Sequence, residues 1–231
     1  MNQTNRPGDM SLMFEGQLAH AALLAVLLVA SVWAAGIDGA MGGSLLGIST
    51  PVWFAFLLAD TIIHQLFVLS AWRLELHGRA LTQWIGDTAR AFRIYAVIFS
   101  ILFGARFVII TLLAIANRRS LNIDPWLGYL LAAIIAVPAV YLFYSVKTYF
   151  GFTRAFGMDH FDPDARTWPL VRKGIFKFTS NGMYMFGIGA LWIPGLALQS
   201  SAALIGAAFS HAYIWVHYFT VEKPDMQRIY G

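Results

Sequence analysis

Asp60 and His64 lie within the long apolar run 52–72, and Arg106 within the run 94–116. A charge in the bilayer core is costly and is kept with a partner or for a purpose. Asp60 and His64 fall one helical turn apart on one face, and Arg106 has a similar depth in the next run, so Asp60 and Arg106 are expected to pair. The cluster reads either as a proton relay or polar pocket, or as an ion pair locking two helices. The second reading is preferred, because neither partner is near the glycine-rich end of the chain in sequence. At that end a basic segment containing Arg172, Lys173 and Lys177 leads into Asn181, Gly182, Tyr184, Gly187, Gly189 and Gly195. The last apolar run then closes on His217, Glu222 and Pro224. Small residues let membrane helices pack closely, and they also let a ligand reach the backbone.

The other reactive residue types exclude more than they suggest. There is no cysteine, which removes disulfides, thiolate metal sites and thiol catalysis. The six histidines are His20, His64, His77, His160, His211 and His217, and no two are three or four residues apart. Clustered helical metal ligation is therefore not expected. No nucleic-acid partner is expected either, since the net charge of +4 is modest and sits in the loops.

These residues must be positioned by membrane helices. Of 231 residues, 58% are hydrophobic and 12% charged, about half the charged share of a soluble domain. Apolar runs occupy 18–35, 52–72, 94–116, 126–146, 183–198 and 202–219. The expected architecture is an all-α, polytopic membrane bundle: one integral domain over 1–231, about six spans, ending in a helical hairpin broken at Gln199-Ser200-Ser201. The last two runs are short for a span of roughly 20 residues and read as two thin spans or as one hairpin dipping from a single face. The first run, with no basic leader beyond Arg6, reads as an uncleaved span and not a signal peptide.

Loop charge sets the expected orientation. With six crossings, Arg6, then Arg73, Arg79, Arg90 and Arg93, then Lys147, Arg154, Arg166, Arg172, Lys173 and Lys177, then Lys223 and Arg228 share one side, against Arg118 and Arg119 on the other. The positive-inside rule makes that side cytoplasmic, with both chain ends. The loop 148–181 is too short for a core of its own and is expected to lie against the membrane domain or close over a site.

The segment Thr179-Ser180-Asn181-Gly182-Met183-Tyr184-Met185-Phe186-Gly187, the hairpin, and His217 through Pro224 with Ile229-Tyr230-Gly231 resemble the C-terminal core of the phospholipid methyltransferases. They are closest to the phosphatidylethanolamine N-methyltransferases and more distantly similar to the isoprenylcysteine carboxyl methyltransferases. Asn181, Tyr184 and Gly187 match the family's start of the hairpin; Glu222, Pro224, Ile229 and Tyr230 match its exit; Tyr149-Phe150-Gly151 is similar to the end of the preceding span. Gly182 stands where the family usually has Pro, and Lys223 where a second Glu is common. The resemblance covers about 149–231, a methyltransferase core that includes the cytoplasmic loop.

It implies methyl transfer from S-adenosylmethionine to a membrane phospholipid, most simply the amine of phosphatidylethanolamine or a methylated derivative, in a bacterial inner membrane or endoplasmic reticulum. The implied cofactor residues are Asn181, Gly182, Tyr184, Gly187, Gly189 and Glu222. His217 and Glu222 are alternative bases for the headgroup ammonium, and Arg172, Lys173 and Lys177 suit a lipid phosphate. The rivals are a lipid-binding relative without activity and a small transporter using Asp60, His64 and Arg106.

Overall fold

Helix starts in this chain are set by side chains that supply missing acceptors. Asp87 accepts from the Arg90 N–H at 2.6 Å, Asp124 from the Trp126 and Leu127 N–H groups at 2.9 and 3.2 Å, and Ser200 from the Ala203 N–H at 3.2 Å. The computed structural model describes residues 10–231, so Arg6 lies outside the described residues. Its helices are α1 (Gln17–Ala35), α2 (Thr50–Gly78), α3 (Ala80–Ile85), α4 (Thr88–Ala116), α5 (Pro125–Ser145), α6 (Phe152–Ala155), α7 (Met158–Phe161), α8 (Trp192–Ala197), α9 (Ser201–His217) and α10 (Lys223–Tyr230). A minimal hairpin, β1 (Ser44–Leu45) with β2 (Ile48–Ser49), lies in the first connection.

Four helices, α1, α2, α4 and α5, are long and apolar enough to cross a membrane. The C-terminal pair is shorter but runs between the same two ends of the bundle. At one end, the Asn117 carbonyl accepts from the Ser120 and Ser200 hydroxyls at 2.7 and 2.9 Å and from the Ala202 N–H at 2.9 Å. Its amide donates to the Gly42 carbonyl at 2.7 Å. The Leu198 and Gln199 carbonyls accept from Arg119 and Leu121, each at 2.9 Å. At the opposite end, Arg73 pairs with Asp225 at 3.3 Å and with Glu15 at 3.6 Å, and Glu15 also meets Arg228. The beginning of α1 and the whole of α10 therefore share this second end, opposite the Gln199–Ser200 turn.

The core lies where α2, α4 and α9 meet, around Leu57, Ile110, Leu113, Ala203 and Tyr213, all with essentially no exposure. Gly206 allows the close approach: a Cβ there would come within 2.3 Å of the Leu57 side chain. Helix α1 is peripheral. Of its side chains only His20 and Ser31 are buried, and His20 ties it inward through Thr220 and Tyr213, both at 2.9 Å. The loop after α5 folds back over the second end as α6, α7 and short 3-10 turns, with Phe161 buried against Phe92 and Tyr95.

Candidate active site

Three five-residue π turns interrupt the helices of the C-terminal half: Val146–Phe150 after α5, Met183–Gly187 before α8, and Tyr218–Glu222 between α9 and α10. Such turns are rare and concentrate at functional sites. The wider turn adds a residue without ending the helix, so side chains beyond it are re-aimed while the backbone stays hydrogen-bonded. All three turns contribute to the same pair of adjoining cavities.

One cavity, of about 440 Å³, is the more polar of the two. It is roofed by the loop after α5 and lined by Arg154, Asp159, His160, Arg172, Asn181, Glu222 and Tyr230, with the rings of Trp72, Trp168, Tyr184 and Tyr218. The second, of about 140 Å³, descends between α2, α4, α5 and α9. Phe99, Phe103, Leu142, Phe143, Phe152 and Phe156 make it apolar, and His64, Arg106 and His217 are its other polar groups besides Gln65, Tyr184 and Glu222. Trp72, Ala155, Met183, Tyr184 and Glu222 line both. Glu222 is thus the one acidic side chain on the shared wall.

Its environment is unusual for a carboxylate. Part of the Glu222 surface faces the cavities, but protein surrounds it, and burial pushes its pKa up to about 8. The Tyr184 hydroxyl donates to its Oε2, which fixes the carboxyl toward the cavity boundary. His160 stacks on Trp72, with ring centroids 4.0 Å apart and planes at 17°. Burial alone would lower the His160 pKa, but the Asp159 carboxylate at 3.2 Å and the Asp225 carboxylate at 3.7 Å outweigh it and raise it. Tyr230 closes the same corner by donating to Asp159 at 2.9 Å. The roof loop, α2 and the C-terminal helix are joined through this cluster.

The residues singled out in sequence divide between the two cavities. Asn181, Tyr184, Arg172 and Glu222 line the polar one, and Gly187 and His217 the apolar one. His217 is buried, and neither ring nitrogen has a hydrogen-bond partner among the described residues. Gly182, Gly189, Lys173 and Lys177 line neither cavity. A Cβ on Gly182 would meet Ile175 and Leu142 at 3.3 and 3.5 Å, so this glycine serves packing. Asp60 and Arg106 do pair, Nε to Oδ2 at 3.2 Å, and Arg106 lines the apolar cavity, in the same chamber as Gly187. Sequence distance from the glycine segment was a poor guide to this. Trp72, Arg154 and Asp159 line the polar cavity without a motif of their own in the sequence. The nearest signal was an Asp-His pair within a loop already expected to close over a site.

Comparison with known proteins supports the resemblance. Residues 124–231 match the phospholipid methyltransferase family. Over 105 residues, 46% of this chain, the sequence is 30% identical to a phosphatidylethanolamine N-methyltransferase from Talaromyces marneffei, and the match spans only 10% of that relative's length. No solved structure matches the chain.

Proposed function

We propose that this chain, whose residues 124–231 match the phospholipid methyltransferases, moves a methyl group from S-adenosylmethionine to the amine of a phospholipid headgroup, phosphatidylethanolamine or a methylated derivative. The observation that carries the reading is the meeting of a polar and an apolar cavity on one acidic wall, at Glu222 and Tyr184. A water-soluble cofactor and a lipid need such a pair of chambers, with their reactive groups brought together at the boundary.

S-adenosylmethionine, when bound, supplies an electrophilic methyl on a sulfonium. The remaining chemistry falls to the protein, chiefly alignment for in-line displacement. In the polar cavity, Arg154 and Arg172 suit the cofactor carboxylate, and Trp72, Tyr184 and Tyr218 offer ring faces to adenine or to the cationic sulfur. Glu222 supplies negative charge at the boundary, oriented by Tyr184. His217, with unpartnered ring nitrogens on the lipid side, and Glu222 on the shared wall are the two candidate bases for the ammonium proton. Packing between α4 and α5 is sparse. Their facing aromatic residues, Phe99 and Phe143, mark the route by which a lipid enters from the bilayer. The loop charges support an orientation with the polar cavity and both chain ends on the cytoplasmic side, where the cofactor is found.

The test is direct. Full-length protein in mixed micelles of detergent and phosphatidylethanolamine, given methyl-labelled S-adenosylmethionine, is expected to put label into the lipid fraction, and chromatography then identifies the product. Saturable cofactor binding without lipid labelling would instead identify a lipid-binding relative with no transferase activity.

A further inference from the structure

The apolar cavity is lined by a buried guanidinium that lies outside the family match. Among the described residues, Arg106 on α4 is the only Lys or Arg that lines it, and the side chain is fully buried. A guanidinium has five N–H donors in a fixed fork. Here Nε–H goes to Asp60 Oδ2 at 3.2 Å and one Nη2–H to His64 Nδ1 at 2.8 Å. Nη1 has no partner among the described residues. Because Nδ1 of His64 accepts from Arg106, its proton lies on Nε2, and Nε2 also lacks a partner. Arg106 and His64, on packed helices, thus each carry an unpartnered buried donor, and both residues line one cavity. Buried donors are normally satisfied, and a pure helix lock would need only the Asp60 contact.

We infer that Arg106 and His64 receive the phosphodiester of the lipid substrate, with Asp60 holding the guanidinium in place. This rests on the lipid methyltransferase reading above. It also revises the phosphate role expected of Arg172, Lys173 and Lys177, none of which lines the apolar cavity. A phosphodiester brought into an aromatic chamber needs a cation there, and the planar fork suits its paired oxygens. Arg106 and His64 are positioning and specificity residues: they set which lipids enter and at what depth the amine stops, and they do not touch the transferring methyl.

The test uses the full-length protein in mixed micelles and two variants. Asp60→Asn/Arg106→Gln removes both charges without stranding either, and His64→Leu removes the Nε2 donor while leaving the ion pair intact. Loss of a charge-assisted contact to the lipid is expected to raise KM for phosphatidylethanolamine by about tenfold or more in the double variant and about threefold or more in His64→Leu. Cofactor affinity should stay unchanged in both. Phosphatidylmethanol, which has the phosphodiester but no amine, should inhibit the wild type and lose that effect in the variants. Diacylglycerol, with the same ester carbonyls but no phosphate, should inhibit none of them. Unchanged lipid KM in the variants, or equal inhibition by diacylglycerol, overturns the assignment. Should the double variant fail to bind cofactor through misfolding, His64→Leu decides. Native mass spectrometry counts retained phosphatidylethanolamine without turnover. A wild type that retains lipid through Arg106 yet transfers no methyl would sink the enzymatic reading and leave this one standing.

Discussion

Glu222→Gln is expected to weaken S-adenosylmethionine binding at least a hundredfold, about 2.7 kcal/mol, while the helical fold survives. Gln keeps the shape of the side chain and a contact for the Tyr184 hydroxyl, and it removes the one acidic group on the wall between the cavities. The fold should lose nothing, because burial disfavours the ionised carboxylate. With its folded pKa at about 8 against a usual 4.5, the native state keeps a proton that the unfolded chain releases. Native stability therefore falls as pH rises from about 4.5 toward 8, and the full cost is present above 8. Glu222→Gln removes that slope.

The same shift fixes the sign for the ligand. A cationic cofactor takes the ionised carboxylate, so binding near pH 7 expels a proton. Wild-type affinity should then strengthen by about tenfold between pH 7 and 9 relative to the variant. Titration of the cofactor's own amino group is common to both proteins and cancels in the comparison. Calorimetry in buffers of different ionisation heat reads affinity and proton release together. A variant that binds within a few-fold of wild type, or shows the same pH slope, would remove Glu222 from the cofactor site.

Gly157→Ala should cost about tenfold or more in kcat/KM for the cofactor, though a glycine has no side chain to offer a ligand. Gly157 precedes α7 at φ +82°, and a Cβ there would lie 2.6 Å from the Trp72 ring. The left-handed conformation costs about 1–2 kcal/mol for a residue with a Cβ, and overpacking adds about 1–3 kcal/mol. The strain falls on Trp72, which lines both cavities and carries the stacked His160. Trp72→Phe in the Gly157→Ala background supplies the missing space and should recover part of the activity. Wild-type kinetics for Gly157→Ala would show that the roof loop does not shape the site.

The helices were legible in sequence because their signals are local: long apolar runs, and Asp87, Asp124 and Ser200 where capping acceptors are needed. The hairpin break also falls where the polar residues stand, with Gln199 in the left-handed region and Ser200 as the cap. The composition of the site was harder to read. Gly182 and Gly187 look equivalent in sequence, but one packs on Ile175 and the other lines the apolar cavity. The π turns determine that difference, and a one-residue change in turn width leaves no trace in hydrophobic periodicity. Likewise Lys223, standing where a second acidic residue is common in the family, is one helical step past Glu222. Its ammonium lies 5.7 Å from the Phe219 ring centroid, and it lines neither cavity. His64 and Arg106 reach the cavity, and Asp60 reaches Arg106, through packing between helices, which no local pattern encodes.

The shared wall has a kinetic consequence on the proposed reading. The two substrates reach it from different phases, one from water beneath the roof loop and one from the bilayer between α4 and α5, so neither blocks the other's departure. Spent cofactor can leave and be replaced while the lipid stays in place. Successive methylations of one amine then become a contest between lipid residence time and cofactor exchange. The extent of methylation is thereby set by the relative rates of two exits and not by a counting device in the site.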